Sequence, residues 1–163
     1  MGYANKRTSF GMKVTIATIG KFKDSHEKAL FASYIKRIPW KIELKEMESK
    51  KALSGNALKE LEADLLLGSI NKDAYIIALD EKGANLSSQE FTEVIKLCQD
   101  NGRSKLAFII GGADGLAGSI KHKAHLTISF SKLTWPHLLV RVMLAEQLYR
   151  SYTIIQGHPY HRV

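Results

Sequence analysis

Leu106-Ala107-Phe108-Ile109-Ile110-Gly111-Gly112-Ala113-Asp114-Gly115-Leu116 is a short apolar run cut off by a glycine-rich turn. So brief and so continuous an apolar segment reads as a strand buried on both faces. The same pattern recurs in both directions along the chain. Upstream, Tyr75-Ile76-Ile77-Ala78-Leu79 is a second compact strand, expected to run into a turn at Asp80-Glu81-Lys82-Gly83. Val14 to Ile19 is β-branched and ends at Gly20, while Ile42, Leu44 and Met47 alternate with charged residues, as in a strand with one wetter face. Downstream, Leu126 to Phe130 reads as the last strand.

Helical patterns fill the gaps between these strands. Asp24-Ser25 can cap a helix carrying Leu30, Phe31, Tyr34 and Ile35, which stops near Pro39. Ser54-Gly55-Asn56 opens a second, with Leu58, Leu61, Leu65 and Leu66 on one side. Ser87 and Glu90 have the spacing of a capping box, at the head of a helix through about Cys98. A short helix is expected from about Leu116 to Lys123. Thr134 is expected to cap the final long helix, with Pro136 in its first turn and its end near Tyr152. That helix has a packing stripe of Leu138, Val142, Ala145, Leu148 and Tyr152; Arg141 and Arg150 lie off it, and Glu146 can pair with Arg150. Alternating strands and helices predict an α/β fold: a mostly parallel sheet flanked by helices on both sides. Residues 1–11 are polar and patternless and read as a flexible extension; residues 12–163 read as a single domain.

The chain of 163 residues is 45% hydrophobic and 25% charged, the composition of an ordinary globular protein with material for a full core. Cys98 is the only cysteine, which excludes an internal disulfide and fits a reducing cytoplasm. No apolar run approaches the ~20 residues of a membrane span, and the N-terminus lacks the apolar stretch of a secretory signal. A cytoplasmic protein with no membrane partner is expected. The formal charge of +8 fits a polyanionic partner, since cationic surfaces attract phosphates and release their counterions, and fits equally a basic protein with no nucleic-acid partner. The cations are scattered (Lys21 and Lys23, Lys36 and Arg37, Lys50 and Lys51, Lys121 and Lys123), so any nucleic-acid footprint must be assembled on a folded surface.

Ligands of open parallel sheets collect beyond the carboxyl ends of the strands. Three such ends carry notable residues: Leu79-Asp80-Glu81, Gly111 to Gly115, and Ser129-Phe130-Ser131-Lys132-Leu133-Thr134-Trp135. The glycine turn is neither a phosphate loop, which would need Gly-Lys-Ser/Thr, nor a dinucleotide fingerprint. Alone it reads first as a tight strand-to-helix turn, and second as a loop whose backbone a ligand can approach. The Phe130–Trp135 segment alone reads as a helix start. The terminus, His158-Pro159-Tyr160-His161-Arg162, reads first as a polar tail; its other reading is a group that stacks on a flipped base and grips phosphate. Two histidines split by a proline, with no cysteine partner, make a metal site a poor reading, and no metal is expected. His26, His122 and His125 read as solvated surface residues.

Taken in order, these segments resemble the ribosomal RNA large subunit methyltransferase H family, the pseudouridine N3-methylating branch of the SPOUT superfamily. The resemblance rests on Ile76 to Gly83, Leu86 to Phe91, Phe108 to Leu116, Ser129 to His137, and Arg141 through Glu146-Gln147-Leu148-Tyr149-Arg150 to Arg162; Met12-Lys13-Val14 and Gly20-Lys21 also fit. It implies a SPOUT fold with a C-terminal trefoil knot, a homodimer, and S-adenosyl-L-methionine as cofactor. The substrate implied is large-subunit ribosomal RNA in the assembled ribosome. Carried over by motif, Leu79, Gly111, Phe130, Ser131, Lys132, Leu133, Thr134 and Trp135 are expected to bind the cofactor. Trp135 stands where a smaller apolar residue is usual. Tyr160, His161 and Arg162 are the expected catalytic group, with Tyr160 or His161 assisting proton loss and Arg162 holding phosphate or the developing base anion. Two competing readings are a SPOUT enzyme acting on tRNA or a ribose 2'-hydroxyl, and a non-catalytic ribosome-binding protein.

Overall fold

The computed structural model describes residues 11–161. Five strands and five helices alternate: β1 (Lys13–Ile19), α1 (His26–Ile35), β2 (Lys41–Met47), α2 (Gly55–Ser69), β3 (Tyr75–Asn85), α3 (Ser88–Asp100), β4 (Lys105–Ile110), α4 (Gly118–Lys123), β5 (Leu126–Ser129) and α5 (His137–Gln156). The strands form one parallel sheet in the order β2-β1-β4-β3-β5. Most of the expected 1–11 extension, residues 1–10, lies outside the described residues.

The two-residue period of the strands sorts the core into two layers. Val14, Ile16, Ile77, Leu106 and Phe108 face α1, α3 and α5, where they meet Phe31, Phe91, Ile95, Leu144 and Leu148. Ala17, Ile19, Ile76, Ala78, Ala107 and Ile109 face the other way, onto Ala63, Leu66 and Ile120 of α2 and α4. Moves toward β2 cross on the α1/α3 face and moves toward β5 cross on the α2/α4 face. That arrangement keeps all four crossovers of one hand.

Local signals set the helix ends. The Ser25 hydroxyl accepts from the Lys28 amide, and the Ser87–Glu90 capping box is fully formed. α5 breaks the expected pattern at its start. Pro136 is the N-cap and no side chain caps the helix, so Thr134 stays in the preceding loop. The helix runs on to Gln156, where Gly157 turns left-handed (φ 69°) and the His158 amide donates to the Thr153 carbonyl, folding the tail back over α5.

A second departure lies in β3. The expected turn at Asp80–Gly83 is an excursion inside a longer strand: Leu79 and Ala84 both pair with Ile128, and residues 80–83 bulge between them. Gly83 makes this possible, because a Cβ there would sit 2.5 Å from the Ile128 carbonyl carbon and 2.7 Å from its backbone nitrogen and oxygen. The third concerns His125, which is not merely solvated. Exposed as expected, it also accepts at Nδ1 from the Ile76 amide at 3.0 Å and stacks on Tyr75 at 4.7 Å, tying the start of β3 to the segment leading into β5.

Candidate active site

The carboxyl ends of β3, β4 and β5 open into one cleft of about 350 Å³, within the ~300–1,000 Å³ usual for small-molecule sites. Leu79, Ile110, Leu116, Ile128, Phe130 and Val140 give it an apolar bed. Its rim carries Lys59, Asp80, Glu81, Lys82, Asp114 and Lys121, and His137 at the start of α5 completes the wall. The three segments singled out in the sequence therefore meet. Leu79, Gly111, Phe130, Ser131, Leu133, Thr134 and Trp135 all line the cleft; Lys132 is exposed and does not.

Each wall is shaped by a different device. In the β3 excursion, Asp80 accepts from the Lys82 amide at 2.9 Å and pairs with Lys121 at 2.9 Å. Burial alone would raise the Asp80 pKa, but those two partners outweigh it and hold the carboxyl below its ordinary value. In the glycine turn, the Gly115 amide donates to the Gly112 carbonyl while Gly115 adopts φ 81°, a left-handed conformation that suits glycine. Behind that turn Glu62 of α2 is only 8% exposed, and both its carboxyl oxygens lie 3.2 Å from where a Gly112 Cβ would project. Burial first, and the charge of Asp114 second, push the Glu62 pKa up.

Serine hydroxyls fold the third wall. The Ser129 hydroxyl donates to the Ser131 carbonyl (2.6 Å). The Ser131 hydroxyl in turn accepts from the Leu133 amide and from the Trp135 indole N–H, each at 2.9 Å. These local bonds replace a regular ladder and fix the loop's path. They leave Leu133 67% and Trp135 39% exposed at the lip of the cleft.

Arg141, expected off the packing stripe, is wholly buried. It donates to the Ile19 and Gly20 carbonyls at 2.8 and 3.0 Å, pairs with Glu46 at 3.1 Å, and lies over the Phe22 ring. Glu46 also accepts from the Phe22 amide. A buried cation needs such a shell to offset its desolvation. This one fastens the turn after β1, and the end of β2, to α5 just behind the cleft. Helical spacing gave no sign of it, because an arginine one step off an apolar stripe usually points to water.

The tail lies elsewhere. Tyr160 donates to Glu146 at 3.2 Å, meets Tyr149 edge-on at 4.7 Å, and sits under Arg150, which also bonds Glu146 at 2.9 Å. Burial, then hydrogen bonding with Tyr34, pushes the Tyr160 pKa up to about 12. His161 Nδ1 is enclosed without a hydrogen-bond partner among the described residues, and Arg162 lies outside them. Glu146, which Tyr160 bonds, is six residues beyond the cleft's Val140 on α5, or about 9 Å at ~1.5 Å per residue. Within one chain, then, Tyr160 stands beside the cleft and is not part of its lining.

A sequence model described as "Predicted SPOUT methyltransferase" matches residues 12–161. The chain is 44% identical over 151 residues to a ribosomal RNA large subunit methyltransferase H from Rhodospirillum centenum, covering 93% of this chain and 99% of that protein. It is 39% identical over 159 residues to the protein of that name from Clostridium botulinum, covering 93% and 100%. The chain belongs to the ribosomal RNA large subunit methyltransferase H family of SPOUT methyltransferases. Solved structures agree on the fold. A probable methylase family protein from Haemophilus influenzae superposes with a TM-score of 0.57 at 11% identity, over 93% of this chain and 71% of that one. A probable methyltransferase from Bordetella pertussis gives 0.51 at 15% identity, over 86% and 95%.

Within this SPOUT chain, sequence reasoning missed three residues at or behind the site: His137, Arg141 and Glu62. His137 was legible only as part of a motif. No helix among the described residues is long and apolar enough to cross a membrane, and no three potential metal-ligating side chains gather there.

Proposed function

We propose that the protein transfers the methyl group of S-adenosylmethionine to N3 of a pseudouridine in large-subunit ribosomal RNA, in the assembled ribosome. The observation that carries this reading is the meeting of three strand-end segments in one cleft, in a chain of this family. The residues suit the cofactor: an apolar bed for a nucleoside, exposed backbone at the glycine turn, and Glu81 and Asp114 for a ligand bearing cationic groups. Leu79, Gly111, Phe130, Ser131, Leu133, Thr134 and Trp135 would hold it. When bound, the cofactor supplies an electrophilic methyl group on a positively charged sulfur. The chain's part is to orient that methyl group against the target nitrogen and to exclude water.

The net charge of +8 supports an RNA partner. Recognition of ribosome shape is expected to outweigh affinity for naked RNA. The tail's distance from its own cleft supports action in a homodimer, where Tyr160, His161 and Arg162 would serve the partner's cleft. Exposed Leu30 on α1 and Leu139 on α5 offer apolar surface for such an interface. A cytoplasmic location follows from the ribosomal substrate.

Transfer of labelled methyl groups to intact large subunits, deproteinised ribosomal RNA and tRNA tests the proposal. Label is expected on the large subunit, at a pseudouridine base, with slower transfer to deproteinised RNA. Label confined to tRNA or to ribose would replace the substrate; no label on any fraction, with no heat on titrating the cofactor, would leave a non-catalytic ribosome-binding protein. Truncation after Gly157 is expected to preserve cofactor binding and abolish transfer, and unchanged turnover would rule the tail out.

A further inference from the structure

Methylating an imide nitrogen requires a proton to leave, and the tail is poorly placed to take it within one chain. Tyr160 is held protonated to about pH 12 and bonds Glu146, six residues beyond the cleft's Val140 on α5, about 9 Å along the helix. Inside the cleft the carboxylates are Asp80, Glu81 and Asp114, and the cations are Lys59, Lys82 and Lys121. Asp80 is committed to Lys121. Of the remaining titratable lining groups, Glu81, Asp114 and His137, the imidazole of His137, the first residue of α5, is the residue type best matched to proton transfer near pH 7.

We propose that His137 is the catalytic proton acceptor: its imidazole, standing on the cleft wall beside the turn after β1, takes the imide proton of the target base as methyl transfer proceeds. This rests on the function proposed above. The imide nitrogen's electron pair forms the new N–C bond, the C–S bond breaks with its pair going to sulfur, and the proton passes to a His137 ring nitrogen. As the nitrogen commits its electrons to carbon, its N–H becomes far more acidic, so a weak base suffices.

The surroundings keep the ring free for this role. It enters no hydrogen bond among the described residues; burial first, and the Arg141 charge one helical turn away second, lower its pKa from 6.5. The helix N-terminus beneath it also disfavours the cation. Its Nε2 lies 4.0 Å from where a Gly20 Cβ would stand, and Gly20 is itself pinned by Arg141, whose charge is paired with Glu46. These surroundings favour the neutral ring, which stands exposed at the cleft wall next to the turn after β1.

The test compares the intact protein with His137→Gln, with methyl transfer to large ribosomal subunits measured from pH 5.5 to about pH 9. Calorimetric binding of S-adenosylhomocysteine and NMR titration of the His137 ring in the free protein accompany it. The parent rate is expected to rise with pH and level off above the ring's pKa, which NMR should place below 6.5. The variant should bind S-adenosylhomocysteine within about twofold of the parent, turn over at least ~100-fold more slowly at pH 7, and keep accelerating as pH rises. A variant rate within about threefold, an unchanged pH profile, or a ring titrating above pH 7 would overturn the assignment. A parent protein that labels no ribosomal RNA overturns the underlying function instead, and the two failures are distinct.

Discussion

Replacing Gly83 with alanine tests the crossing on which the cleft is built. The new Cβ would stand 2.5 Å from the Ile128 carbonyl carbon, where ordinary van der Waals contact begins near 3.4 Å. Restoring contact means moving β5 away from β3 by about 0.9 Å, which stretches a ~2.9 Å backbone hydrogen bond beyond useful length. Overpacking against side chains costs about 1–3 kcal/mol, and Ile128 presents backbone, which has no rotamer to change. With one ladder bond lost at about 1 kcal/mol, the expected destabilisation is about 3–4 kcal/mol. At an m-value of ~2 kcal/mol/M this lowers the urea midpoint by roughly 1.5–2 M. Binding of S-adenosylhomocysteine should weaken in parallel, because residues on both sides of the crossing line the cleft. Gly68→Ala is the control: it lies near the end of α2 with nothing within 4 Å of an added Cβ, and should stabilise by about 0.5 kcal/mol. A Gly83→Ala midpoint within roughly 0.3 M of the parent would refute the reasoning.

Two further outcomes follow from the buried groups. Arg141→Met strands Glu46 and two carbonyls, and should cost about 2–4 kcal/mol in urea unfolding; adding Glu46→Gln should recover about 1 kcal/mol of it, and strict additivity would show that the pair is not coupled. Tyr160 titrates at about 12 in the folded protein against an ordinary 10, so the unfolded chain loses this proton first. The stability it contributes is full below pH 10 and lost as pH rises through about 12. Ultraviolet titration should show a late-ionising tyrosine that disappears in Tyr160→Phe; an unchanged curve would sink the assignment.

Most of the fold was legible because its signals are local. Four apolar runs, the alternating Ile42–Leu44 segment and the Ser87–Glu90 box each announce themselves within a few residues, and all appear in the structure. Other features depend on tertiary contact and were not legible. The bulge at residues 80–83 looks like a strand-ending turn in sequence; it becomes part of a strand only because β5 lies close enough to pair with Leu79 and Ala84 together. Arg141 looks solvent-facing until the carbonyls of Ile19 and Gly20 are brought to it from 121 residues or more away. Thr134 looks like a cap, but the Ser129–Ser131–Trp135 hydroxyl chain fixes the loop first and delays the helix to His137.

The same distinction explains why the cleft could be anticipated but its base could not. Each wall shapes itself: an aspartate bonding two residues on, a glycine turn, a run of serine hydroxyls. Sequence therefore reveals all three walls, and only their adjacency has to come from the sheet order β4-β3-β5. A proton acceptor needs more than a residue type at a wall. It needs a ring without a hydrogen-bond partner among the described residues, in surroundings that lower its pKa; for His137 these are burial first and then the charge of Arg141, an arginine held in place by β1 and β2. Chemistry that depends on elements outside the cleft is readable only once those elements are packed, whereas a binding surface made of self-folding loops can be read from the chain.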